Sequence, residues 1–329
     1  MGTDIVVNGL DPSAMTGDYL DMLEAGGVNC WHQSIGSSFE SFARLLNFFD
    51  ENQKRIAPAR SVRDIRRLKG ENRIAHIAGW QSASGLISNG EPVLNNLRVY
   101  HELGLRICGI SYNVADIFGG GCFDPDVGLT RAGHRLIEKI HESRLVLDIA
   151  GHTNEKTSFD AIAISDGVPV ICSHTNILAL NNNPRCSSDA MLEAIAKTGG
   201  VIGVTAFSDF HTRKSSDANL LSSPQAKLDQ HLDQYDYLKR LVGVDHIGIG
   251  PDFLEGRNGA GTLSASDRIL MAPEAYSQRT PWHYVKGFEN IGELPNVAHG
   301  LTRRGWTEGE LRKLMGENWM RVYEAVWGE

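Results

Sequence analysis

The sequence predicts an α/β fold, a (β/α)8 TIM-like barrel followed by C-terminal helices, with residues 1–329 forming one domain. Three observations carry that expectation. Short apolar runs rich in branched residues alternate with helix-length segments, the pattern of buried parallel strands joined by crossover helices. Three of those runs lead into an imidazole or a carboxylate: Leu145 to His152, Val168 to His174 and His246 to Asp252. No Gly-x-Gly-x-x-Gly follows any strand, so a doubly wound dinucleotide-binding sheet lacks its fingerprint.

The elements follow in order. Ile5 to Leu10 reads as the first strand, and Thr16 to Ala25 as a helix. Gly27 to Ile35 is the second strand; the spacing of Phe39, Phe42, Leu45, Leu46 and Phe49 then makes Ser37 to Gln53 helical. Arg73 to Trp80 and Leu105 to Tyr112 are the third and fourth strands, with the helix Val93 to Leu103 between them. A glycine-rich loop, Gly119 to Cys122, precedes the helix Leu129 to Ser143; without a Lys-Ser/Thr after it, it is no phosphate cradle. The fifth strand ends near His152, a helix follows, and the sixth leads to His174. Asp189 to Thr198 is a helix, Gly200 to Thr205 the seventh strand, Leu228 to Val242 a helix and the run before Asp252 the eighth strand. The polar loop Glu255 to Thr262 reads as a lid or rim. Two helix patterns close the chain, and Thr307 with Glu310 forms a capping box that opens the helix Leu311 to Met315.

Composition excludes several function classes. A hydrophobic share of 41% with 22% charged residues suits a water-soluble globular chain. A net charge of −8 and the lack of any basic run argue against nucleic acid as a partner. Five scattered cysteines make neither a disulfide framework nor a zinc-ribbon spacing. No secretory leader and no stretch of 18 apolar residues is present, so no membrane partner is expected and the cytoplasm is the default location.

In a parallel barrel, side chains at the carboxyl ends of the strands converge on one mouth. Two imidazoles and a carboxylate meeting there make a metal site, and a metal site suggests hydrolysis. Trp31, Trp80 and Tyr112 are expected near the same mouth, where aromatic faces can contact a substrate.

These residues resemble the membrane (renal) dipeptidase family, peptidase family M19, whose members are zinc enzymes on a barrel of the amidohydrolase-like, metal-dependent hydrolase type. The likeness covers most of the chain, and the chain is similar to a bacterial subgroup of dipeptidase-like proteins. It rests on Leu147-Asp-Ile-Ala-Gly-His152, Pro169-Val-Ile-Cys-Ser-His174, Asn183-Pro-Arg185 with Asp189, Gly248 to Phe253, and Met315-Gly-Glu-Asn-Trp-Met-Arg-Val322. The resemblance implies that His152 and His174 hold one metal ion. It implies that Arg185 grips a substrate carboxylate, and that Asp252 binds metal or moves the catalytic proton. His152 matches only with one extra residue, Gly151, before it.

Three departures bear on chemistry. The family's first strand carries His-x-Asp where this chain has Gly9-Leu10-Asp11; its bridging glutamate falls at Gln81, and its oxyanion-stabilising histidine at Tyr112. An amide oxygen ligates weakly and brings no charge to hold two cations together. One zinc ion is therefore expected rather than two, with iron or manganese also able to fill such a site. Metal candidates are thus His152, His174, Gln81 and Asp252. Catalytic candidates are Asp252 and Tyr112, and substrate candidates are Arg185, Tyr112 and Trp80. The expected activity is hydrolysis of an amide in a dipeptide or another small carboxylated derivative or lactam. A metal-dependent lyase or decarboxylase, and a binding protein with a decayed metal site, are the alternatives. A homodimer is implied by resemblance alone.

Overall fold

Strands form mostly where branched apolar runs lie: β1 (Val7–Asp11), β2 (Cys30–Ser34, which lacks branched residues), β3 (Ile74–Trp80), β4 (Leu105–Gly109), β5 (Val146–Asp148), β6 (Ile171–Ile177), β7 (Val201–Val204) and β8 (Ile247–Ile249). The computed structural model describes residues 4–149, 151–257 and 259–328. Within it the eight strands pair in parallel in chain order, and the Asp252 N–H donates to the Leu10 carbonyl (3.1 Å), bringing the end of the series back to its start. This is the expected barrel, nearly closed.

A helix follows every strand, and side-chain caps define where several begin. Thr16, Ser38, Thr130, Asn154 and Ser188 each accept a hydrogen bond from the backbone N–H three residues on, satisfying an otherwise orphaned donor. Phe42, Leu45, Phe48 and Phe49 face inward from Phe39–Glu51, and Leu136, Ile137 and Ile140 from Arg131–Glu142. They bury the outer faces of the strands in one continuous apolar layer. All five cysteines are free thiols, as their spacing suggests. No helix among the described residues is long and apolar enough to cross a membrane.

The floor of the barrel is built differently. Near the N-terminal ends of the strands, Val7, Cys30, Ala75, Ile107, Val146, Ile171 and Val201 pack with Trp319 and Tyr323 of the helix Asn318–Trp327. Trp319 lies so close that a Cβ on Gly9 would sit 2.4 Å from its ring, and one on Gly248 2.3 Å from its indole nitrogen. The indole thus occupies the space beside Gly9, where the resembled family carries a histidine.

Several boundaries differ from expectation for physical reasons. Residues 54–72, not assigned from sequence, hold the strand Ile56–Pro58, paired to β3, and the helix Val62–Gly70. That helix shows only Val62, Ile65 and Leu68 inward among charged neighbours. β6 starts at Ile171 rather than Val168, beyond Pro169, which has no N–H for the ladder. His174 therefore lies within the strand, not at its end. β5 stops at Asp148, so His152 follows in a loop; Ala150, inside the run assigned to that strand, lies outside the described residues. The same holds for Asn258 in the Glu255 to Thr262 loop. His246 belongs to a turn before β8. Both halves of the capping box at Thr307 and Glu310 form, but the helix they open, Glu308–Arg312, continues through a π-turn at Lys313–Glu317 into Asn318–Trp327.

The contact between Gly9 and Trp319 is testable. Gly9→Ala forces a methyl against the indole and against the Ile249 carbonyl (2.5 Å), and overpacking of this kind costs about 1–3 kcal/mol. Chemical denaturation should show a lower midpoint with an unchanged slope; a midpoint equal to wild type would show that the floor yields freely.

Candidate active site at the barrel mouth

The strand ends surround a cavity of about 280 Å3. Gln81, Tyr112, His152 and Asp252 line it, together with Arg257, Met271, Tyr276 and Trp282 from the long segment after β8. The lid expected at Glu255 to Thr262 contributes Arg257; the other three residues come from farther along. His174 and Arg185 lie behind the cavity wall in contact with His152.

Trp80 does not reach the mouth. It is buried against Tyr100 (4.6 Å between ring centroids) and Phe42 (6.4 Å). Strand alternation explains this, because Gly79 and Gln81 take the inward positions on either side of it. Trp31 is likewise buried outside the mouth, its indole N–H donating to the Asp11 carbonyl (3.2 Å).

Two register shifts decide which polar side chains enter the barrel. Between β6 and β7, Cys172 pairs with Ile202 and Thr175 with Val204, so two residues of β6 oppose one of β7. Such a bulge places Ser173 and His174 on the same side, against the strict alternation of a regular strand. Between β1 and β2, Asn8 pairs with Trp31 and Asp11 with Gln33. That shift turns Asp11 to the side of Asn8, toward the first helix. There its oxygens accept from the Asn8 amide (3.0 Å), the Ser13 N–H (2.8 Å) and the Tyr19 hydroxyl. Asp11 is a tied structural carboxylate, absent from the cavity lining.

The two histidines are held in one tautomer each. Asn113 donates through Nδ2 to the Leu270 carbonyl (2.5 Å) and the Tyr276 hydroxyl (3.2 Å), which leaves its Oδ1 to accept from His152 Nδ1 at 2.7 Å. Ser173 donates to Asp148 (2.5 Å), so its oxygen accepts from His174 Nδ1 at 2.7 Å. In both rings the lone pair is therefore on Nε2. The rings lie 4.8 Å apart, and Tyr112 stacks on His152 at 3.9 Å with 23° between planes.

Burial, with Arg185 next, holds both imidazoles well below the usual histidine range; His174 adds to the effect on His152, and His32 to that on His174. Both rings are neutral. Burial also pushes the Asp252 carboxyl up to about 7, opposed by Arg185 and assisted by Asp11. Asp252 has φ +61° and Asn113 φ +60°, a left-handed backbone that Asp and Asn tolerate better than most residues but that still costs about 1 kcal/mol each. Strain of this kind, repeated at two residues of one site, is a feature of functional positions.

Arg185 is the largest charge here. It is 1% exposed, its Nε donates to Tyr276 (2.9 Å), its Nη2 faces His152 Nε2 at 3.3 Å, and its Nη1 has no hydrogen-bond partner. Its guanidinium lies 5.1 Å from the centre of the Phe210 ring. No carboxylate pairs with it among the described residues.

The two imidazoles could hold a metal ion. Two neutral imidazoles present Nε2 lone pairs with Nδ1 fixed by a second partner, the usual arrangement around a metal-bound histidine, and the buried His174 Nε2 has no hydrogen-bond partner. No three His, Cys, Asp or Glu side chains among the described residues gather closely enough to hold a metal. The three-ligand convergence of His152, His174 and Asp252 is therefore not formed, and the imidazoles are a pair with the carboxyl apart from them. Asp252 sits past β8 with a left-handed backbone.

Sequence reasoning passed over Asn113, Tyr276, His32 and the Asp148–Ser173 pair. Asp148 and Ser173 lay inside motifs already quoted. His32 is marked by Gly79, where a Cβ would meet its Nε2 at 2.0 Å. Tyr276 comes from a segment without periodicity and had no signal.

Comparison with known proteins agrees with this architecture. An uncharacterized protein of the pqqA 5′ region from Klebsiella pneumoniae is 28% identical over 88% of this chain and 96% of its own length. A dipeptidase of Clonostachys rogersoniana, verJ, is 23% identical over 91% of this chain and 67% of its own. The crystal structure of an amidohydrolase from Pseudomonas aeruginosa superposes with a TM-score of 0.85 at 28% identity, covering 100% of this chain and 98% of that one. A model of the membrane dipeptidase family matches residues 27–268 and 281–327. This chain belongs to the membrane dipeptidase family, peptidase family M19.

Proposed function

We propose that the barrel mouth hydrolyses the amide of a small carboxylated substrate, a dipeptide or an N-acyl amino acid or lactam, with one metal ion held by His152 and His174. Membership of the family makes the chain a metal-dependent hydrolase acting on amide bonds; the number of ions, the substrate and the residue roles are this proposal. The observation that carries it is the unpaired guanidinium of Arg185. A buried cation without a counter-ion is costly by several kcal/mol, and a substrate carboxylate arriving beside His152 and Tyr276 would relieve that cost with a forked, charge-assisted pair.

A bound ion, zinc by family likeness, supplies Lewis acidity and lowers the pKa of water. The chain's own residues do the rest. Asp252, with its carboxyl pushed up to about 7 by burial, takes the proton from the attacking water and returns it to the leaving amine. Tyr112, whose burial keeps the phenol protonated far above neutrality, donates to the developing oxyanion. Asn113 keeps His152 in the tautomer whose lone pair is on Nε2, the atom that Arg185 Nη2 faces at 3.3 Å. Gln81 offers an amide at the rim, and Phe207, Met271 and Trp282 exclude bulk water.

Elemental mass spectrometry should find one metal per chain, lost in His152→Ala and His174→Ala. Two ions, or none in protein purified without chelator, would contradict the ligand assignment. Arg185→Lys should raise KM for a carboxylated amide by about 10- to 100-fold, the range expected for a hydrogen bond to a charged group. It should leave the matching substrate with an esterified carboxylate nearly unaffected; equal losses on both would remove Arg185 from substrate recognition. The base form of Asp252 is its carboxylate, populated above its pKa. Log kcat/KM should therefore climb with pH along a limb centred at or below about 7, since a bound cation lowers that value, and then level off. Asp252→Asn should lose about 100-fold or more in activity together with that limb.

A further inference from the structure

At the opposite end of the barrel, between the loops leading into β4 and β5, lies a second cavity of about 740 Å3. Arg60, Arg98, Arg106, Lys139 and Arg144 line it against two carboxylates, Glu102 and Glu142. Among the described lining residues cations outnumber carboxylates by three, in a chain whose net charge is −8. Glu142 is already taken by Lys139 at 2.5 Å, and the side chains of the four arginines have no carboxylate partner among the described residues.

Arg106 is the built part of this pocket. It is 6% exposed, and it donates only to backbone carbonyls: Nε to Arg60 (2.9 Å), Nη1 to His101 (2.9 Å) and Leu105 (2.8 Å). Its Nη2 has no partner among the described residues. Burial first, and then the neighbouring Arg60, pulls its guanidinium down to about 10, with Glu102 and Asp64 acting the other way. Three carbonyls fix the fork in one orientation, and the remaining edge is free for an anion. Leu94, Leu97 and Trp327 form an apolar wall beside the charges. That combination suits an ester of phosphate with an organic body better than free inorganic phosphate.

We propose that this pocket binds an organic phosphate of nucleotide size, its phosphates on Arg60, Arg98 and Arg106 and its organic part against Leu94, Leu97 and Trp327. The site faces away from the barrel mouth and is independent of the reaction proposed there. Arg60 and Arg98 are exposed, so reversing them leaves the packing intact, which a thermal melt of the double variant checks.

The test is isothermal titration of ADP into the full chain as wild type, Arg60→Glu/Arg98→Glu and His152→Ala. One ADP per chain should bind wild type and His152→Ala alike. Binding should weaken about tenfold or more in the double variant, and in wild type as salt rises from about 50 to about 300 mM, because screening shortens the reach of such charges. No binding to wild type at about 1 mM ADP, or undiminished binding to the folded double variant, overturns the proposal. Loss in His152→Ala with retention in the double variant does so too, because it places the nucleotide at the barrel mouth.

Discussion

One guanidinium, buried with no carboxylate paired to it among the described residues, shapes the electrostatics of the barrel mouth. Arg185 adds to burial in keeping His152 and His174 neutral, opposes the upward push of burial on Asp252, and is itself steadied by a phenol, an imidazole and an aromatic face. Each neighbour can be read as a response to that charge. Neutral imidazoles tolerate it, Tyr276 accepts from it, and Asp148 is bonded to Ser173 rather than paired to it. A carboxylate placed directly beside Arg185 would neutralise the site and remove its reason to attract a substrate anion.

Two one-residue shifts in strand pairing then sort the acids and bases of the sequence. The shift in β6 brings His174 inward beside Ser173 and so gives it a hydrogen-bond partner for Nδ1. The opposite outcome holds in β1, where Asp11 is turned out of the barrel and its oxygens are consumed by Asn8, Ser13 and Tyr19. Nearby, the side chain lost at Gly9 is replaced by the Trp319 ring. The space beside Gly9 is thus apolar floor, and Asp11 is taken up by structural hydrogen bonds.

Much of this was legible in the amino-acid sequence, for reasons that differ from residue to residue. Branched apolar runs marked most barrel strands, because strands covered on both faces have no regular polar side to interrupt them, although β2 is Cys-Trp-His-Gln-Ser. Ser, Thr and Asn caps marked helix starts. The order of His152, His174, Arg185 and Asp252 along the chain was enough to bring them to one end of a barrel. The direction of individual side chains was not legible, since a bulge changes pairing by one residue without any change in composition. Asp11 was left undecided by that kind of detail, whereas Trp80 was misplaced by plain strand alternation, which gives the inward positions to Gly79 and Gln81. Tyr276 was invisible because it is carried to Arg185, 91 residues away in sequence, by a segment with no periodic pattern. The helix Val62–Gly70 escaped because its apolar stripe is three residues long in a run of arginines.

The Trp319 floor has a consequence for the order in which the protein can become itself. Gly9 belongs to the first strand, Gly248 to the eighth, and the indole that fills the space beside both is synthesised after all of the strands. The wall and every candidate site residue are thus encoded ahead of the ring that fills the space beneath them. Without Asn318–Trp327 in place, the strands that carry Gly9 and Gly248 lack that packing partner, so the firmness of the floor rests on a segment remote in sequence from the first strand.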